Sequence, residues 1–171
     1  LHRIAEGAAM MTDTTMNRRI VGAAWPRHYN NPVALAMDAN IRAVGLPEWS
    51  EDDQKFALAL QELMDSDEKS GLATELEGLQ GPPEDPISGG SDDIGDVSWV
   101  VPTVTLRFPS NVQGLQGHHW SSAMAMATPI AHKGAIAGAK VIAATMLDLY
   151  QDKALREDAW SYFREEQSKD V

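Results

Sequence analysis

The sequence has no cysteine, which excludes disulfides, thiolate nucleophiles and cysteine-ligated zinc or iron-sulfur centres. Any metal must then be held by histidine, carboxylate or backbone oxygen. Positive charge is scarce: 14 Lys and Arg stand against 25 Asp and Glu, a formal charge of -11. Such a field repels nucleic acid and anionic membranes, and the most basic stretch, Arg18 and Arg19 with Arg27 and His28, is short and interrupted. No apolar run approaches the roughly 20 residues that span a bilayer, and the opening LHRIAEGAAMM lacks a signal-peptide layout. No nucleic-acid or membrane partner is expected, and the cytoplasm is the expected compartment. What remains is a globular chain of 171 residues, 43% hydrophobic, long enough for one core or for pieces of two domains.

Leu1 opens a helical pattern with Ile4, Ala5, Ala8 and Ala9 and no cap before it, so the chain reads as cut from something longer. Met16 to Trp25 reads as a strand of imperfect alternation ended by Pro26. Asn31 as N-cap and Pro32 open a helix with Val33, Met37, Ile41 and Val44 on one side, stopped by Gly45 and Pro47. Ser50 and Asp53 form a capping-box pattern ahead of a helix with Phe56, Leu60 and Met64 as its apolar stripe. Gly71 to Gly90, rich in Gly, Pro and acid, reads as an exposed loop. Val104, Leu106 and Phe108 alternate as in a strand. A long helix from near Lys133 to Tyr150 carries Ile136, Ala139, Ile142, Ala143, Met146 and Leu149 on a wide apolar face. A last charged helix follows, with Trp160 and Phe163 expected to dock on the body.

Three constellations could carry chemistry. In GGSDDIGD, Asp92, Asp93 and Asp96 can bind a hard cation or orient a ligating histidine, or form a solvated acidic turn. In GHHW, adjacent histidines point apart, so one ligand and one neighbouring contact is the easier geometry. His132 lies at the entry of the long helix, where free amides and Lys133 could hold a substrate carboxylate; the alternative is a plain helix-entry histidine beside a snorkelling lysine.

Four blocks in order, IAEGAAMMTDTT, GSDDIGDVSWVVPTV, GHHW and IAHKGAIAGAKVIAATM, resemble the M20 family of metallopeptidases and amidohydrolases, in its aminobenzoyl-glutamate utilization protein B branch. The resemblance implies an α/β fold: residues 1–27 as the end of an α/β lid and dimerisation domain, and residues 28–171 as the C-terminal part of a zinc-peptidase-like (phosphorylase/hydrolase-like) catalytic domain. It implies metal-dependent hydrolysis of an aminobenzoyl-glutamate-like or related N-acyl amino acid amide. Two divalent ions, zinc or manganese, would activate water in the complete protein, with most ligands and the general base on an N-terminal half absent here. His118 matches the C-terminal metal ligand. Ser91, Asp93 and Asp96 match a loop lining the site, while His119 and His132 take substrate-side or supporting roles. Trp99 or Trp120 could stack on the aromatic acyl group, or pack in the core. A homodimer through the lid is implied. The chain departs from the wider family in carrying HHWSSAMAMATPIAHKG where a His-x-Pro and a Phe-Asp-Phe segment are usual. Beside the hydrolase stands a second reading: a noncatalytic subunit or binding module that associates with a separate N-terminal half, or an inactive remnant.

Overall fold

The helix ends follow local chemistry closely. In the computed structural model, which describes residues 1–81 and 92–168, α1 spans His2–Met11 and α2 spans Asn31–Val44. The cap of α2 is Asn30, one residue before the expected Asn31, its side chain accepting from the Val33 amide. Gly45 ends α2 at φ 73, a conformation that glycine takes without steric cost. Helix α3 (Glu51–Leu63) carries the full capping box of Ser50 and Asp53. Short α4 (Ile94–Ser98) and α5 (Trp120–Met126) precede α6 (Pro129–Gln151), which starts a turn earlier than expected, at Pro129 behind Thr128. Helix α7 (Lys153–Tyr162) runs into a π-helical turn, Phe163–Gln167.

Helix α6 is the hub, with α2, α5 and α7 packed on it. One core cluster joins Ala57 and Leu60 of α3 to Leu72, Val112, Ala125 and Ile130. Buried Gln61 ties the loops around it: its Oε1 accepts from the Gly71 amide at 2.9 Å and its Nε2 donates to the Gly71 and Gln113 carbonyls. At the other end Asn30, fully buried, donates from Nδ2 to the Ala159 carbonyl (3.0 Å) and to Gln167 Oε1 (2.8 Å), fastening α2 to α7 and the π-turn. The expected docking of the last helix rests on Ala159 more than on its aromatics. Trp160 is exposed and meets Phe163 edge-on at 5.4 Å.

The α/β expectation is corrected here: the described residues contain no strand, so neither the zinc-peptidase-like sheet nor an α/β lid is formed by them. The reason is physical. A strand is held by a neighbour that takes up its N-H and C=O groups, and neither strand-like segment has one. Residues 104–108 keep strand alternation, with Val104, Leu106 and Phe108 half-buried and Thr105 and Arg107 exposed, but the segment lies extended against α6 without a ladder. Residues 14–30 are likewise extended and largely exposed.

Candidate functional site

The acidic turn before α4 is built around the chain entering α2. Asp92 Oδ1 accepts from the Ile94 amide at 3.0 Å and its Oδ2 pairs with Arg27. Trp99 donates from Nε1 to the Pro26 carbonyl (2.9 Å), and its ring lies 4.1 Å from His28 and 5.3 Å from Trp25. The His28 amide donates to Ser98 Oγ at 2.9 Å. Gly95 makes this possible, since a Cβ there would stand 1.9 Å from the Trp25 carbonyl oxygen. Burial pushes the His28 imidazole below its ordinary pKa. Of the three aspartates, Asp92 therefore holds a tertiary contact. Asp93 is exposed at the head of α4 with no capping hydrogen bond, and Asp96 is half-buried within it. Ser91 lies outside the described residues.

His118 is exposed and sits at φ 56, the left-handed region, on the glycine-spaced turn. His119 caps α5: its Nδ1 accepts from the Ser121 amide and lies 2.9 Å from Ser121 Oγ, with its ring 5.4 Å from Trp120. His132 is exposed in the first turn of α6. Lys133, read either as a charge that could hold a substrate carboxylate or as a snorkelling lysine, serves an internal carboxylate. Its Nζ donates to Asp53 Oδ2 at 2.6 Å and to the Glu48 carbonyl at 3.0 Å. That ammonium, acting against the burial of Asp53, holds the Asp53 carboxyl below its ordinary range.

Among the described residues, no three of His, Asp and Glu stand together as a potential metal-binding set. His118, His119, His132, Asp93 and Asp96 are thus not gathered into one. This corrects the expectation of a zinc or manganese centre shared by the GHHW turn and the acidic loop. The physical reason is that Asp92 turns toward Arg27 while His119 turns back onto its own helix. A cleft of about 470 Å³ opens between α2, α6 and α7, lined by Leu35, Ala36, Leu155, Asp148, Asp152 and Asp158 together with Pro32. None of the residues expected to line a site lies in it.

The sequence signal that reads most differently in three dimensions is the apolar face of α6. Beyond Ile130, which enters the core, the helix buries a mostly small face, Gly134, Ala137, Gly138, Val141 and Thr145, where a Cβ on Gly134 would stand 2.0 Å from the Pro109 carbonyl oxygen. The larger side chains point outward: Ile136, Ile142, Met146, Leu147 and Tyr150 are 46–83% exposed. With the exposed Ala135, Ala139 and Ala143 they form one arc, about 140° wide at 100° per residue, that carries no charged side chain. Against the expectation that no apolar run is long enough to span a bilayer, α6 passes for a membrane-crossing helix by length and composition, with a third of its most apolar window buried inside the protein.

No protein-family description matches the chain, and no solved structure matches it. A curated relative is one of the subunits of the p-aminobenzoyl-glutamate hydrolase of Escherichia coli (strain K12), 29% identical over 178 residues. The match takes in 91% of this chain, which spans 37% of that relative's length. This is a weak likeness to a hydrolase component. The described residues form no sheet and do not carry the M20 catalytic fold that the four sequence blocks implied. The assignment to the M20 metallopeptidases is corrected on that ground. With it go the reading of the chain as part of a working metal-dependent amidohydrolase and the divalent cofactor, since the described residues assemble no metal-ligand set.

Proposed function

We propose that the chain is a noncatalytic binding module that associates with a second polypeptide through the outer face of α6. The observation that carries this reading is the uncharged arc running from Ile136 to Tyr150, exposed along a chain of net charge -11. A contiguous apolar strip of this length on a folded domain marks an interaction surface. The Escherichia coli relative is one component of a multi-chain hydrolase and extends well beyond the matched stretch, which supports a polypeptide partner supplied by the equivalent of its remaining length.

The test is co-expression of this chain with the part of the Escherichia coli relative outside the matched stretch, followed by size-exclusion chromatography and titration. A one-to-one complex is expected. Ile136→Glu with Met146→Glu should weaken it at least about tenfold, as for buried apolar anchors at an interface, while far-UV circular dichroism of the free chain stays unchanged. Failure to associate, or association indifferent to the double substitution, would overturn the proposal. So would binding to phosphatidylcholine vesicles in preference to the polypeptide.

A further inference from the structure

We infer that residues 15–25 are a docking strand, adding to an exposed β-sheet edge of the partner whose flanking side chains are acidic. The inference rests on the proposed association and names its second contact. Three independent features of the segment carry it. First, its backbone is idle: residues 15–25 lie extended and, among the described residues, make no backbone hydrogen bond. Apart from the Trp25 carbonyl, which is packed against Gly95, each of them holds an N-H and a C=O without a backbone partner, and no proline interrupts the run. An unpaired extended stretch of this length inside a folded chain is uncommon unless it is used.

Second, its side chains favour strand and face outward. Ile20 is 69% and Val21 90% exposed. As neighbours they project to opposite sides of an extended chain, so an occupant must meet both faces, as a sheet edge does and a flat surface does not. The end of the segment is held in place by the Trp25–Trp99 contact, the Trp99 bond to the Pro26 carbonyl and the Arg27–Asp92 pair, which reduces the ordering needed on binding.

Third, its charge selects the partner. Within residues 15–25 stand Arg18, whose guanidinium meets His2, and Arg19, and no acidic residue, against a whole-chain charge of -11. Cross-strand partners of opposite sign stabilise a pair and like charges opposite each other oppose it. A second copy of this chain, paired parallel and in register through the same segment, would set Arg18 and Arg19 against their own counterparts. Its described residues also contain no sheet to extend. An acidic sheet edge on a different polypeptide satisfies both requirements.

Hydrogen exchange followed by mass spectrometry, on the full chain alone and in complex with the same co-expressed part of the relative, tests the inference. Amides of residues 15–25 should exchange freely in the isolated chain and slow at least about 100-fold in the complex. Val21→Pro, which removes a ladder donor, should lower affinity at least tenfold, whereas Val21→Thr should bind as the parent does. Because this segment buries nothing at Val21, the thermal midpoint of either free variant should match the parent. A complex that leaves residues 15–25 unprotected, or that tolerates Val21→Pro, overturns strand addition while leaving the α6 interface standing. Absence of any complex overturns both. Val21-dependent dimers of this chain alone would overturn the choice of partner.

Discussion

Lys133 and Asp53 show how much of the stability of the α3–α6 contact hangs on one proton. Asp53 is nearly buried, receives the Ser50 amide at 2.8 Å, and holds Lys133 at 2.6 Å, with Lys133 about one-third exposed. Because its folded pKa lies below the ordinary value of about 3.9, the pair contributes stability that is complete above that ordinary value. It is lost as pH falls through the lower, folded value. Lys133→Met should therefore cost on the order of 1 kcal/mol at neutral pH, modest because the lysine is partly screened. The variant should also show a flatter loss of stability on acidification than the parent. Urea unfolding between pH 7 and pH 2.5 measures both; identical pH slopes in the two proteins would remove the pair from the account. The same contact has a partner that the local sequence hides. In sequence, a lysine beside a helix-entry histidine suggests an anion site, and nothing local reveals that Asp53, eighty positions earlier, has taken it.

At the level of the elements, what is legible divides by range. Helices α1, α2, α3, α6 and α7 are written in caps and 3.6-residue periodicity, signals that act within a few residues, so their ends fall within about one turn of expectation. The strands expected at 16–25 and 104–108 rest on equally local alternation, yet a strand exists only through a neighbour that local sequence does not specify. The candidate metal site fails for a related cause: GHHW and GSDDIGD are each plausible ligands alone, and only the fold decides whether they share a volume. The direction of α6 is also hidden, because most of its large residues form the obvious apolar face while Gly134, Ala137, Gly138, Val141 and Thr145, with Ile130 at its start, make the face that packs. Gly134 and Gly7 turn this into a paired prediction. Gly134→Ala drives a methyl to 2.0 Å from the Pro109 carbonyl oxygen and should destabilise the protein by about 1–3 kcal/mol, as overpacking does. Gly7→Ala, with nothing within 4 Å of the added carbon, should firm α1 by about 0.5–1 kcal/mol. Since α1 buries no residue, that gain should appear as slower amide exchange within α1 and not in the urea midpoint of the whole. A harmless Gly134→Ala would show that α6 does not sit backbone-to-backbone on the Pro109 segment.

For the molecule as a whole, two long-range properties oppose each other. The charge of -11 keeps copies apart at neutral pH, while the arc on α6 offers each copy an uncharged apolar strip. Net charge vanishes near the sequence isoelectric point, about 4.7. The Asp53–Lys133 pair should still be formed at that pH, because Asp53 titrates lower, so the folded chain is what meets its copies there. Light scattering of the isolated chain should accordingly rise near pH 4.7 and fall again at lower pH as positive charge accumulates. Placing a charge in the strip, by Met146→Lys or Ile136→Glu, should suppress that rise, whereas the same charge introduced at exposed Leu63 on α3 should leave it in place. If all three variants scatter alike, association at zero net charge is nonspecific and the outer face of α6 has no special adhesiveness. If only the α6 variants stay clear, the strip is the surface that charge repulsion holds open for a different partner.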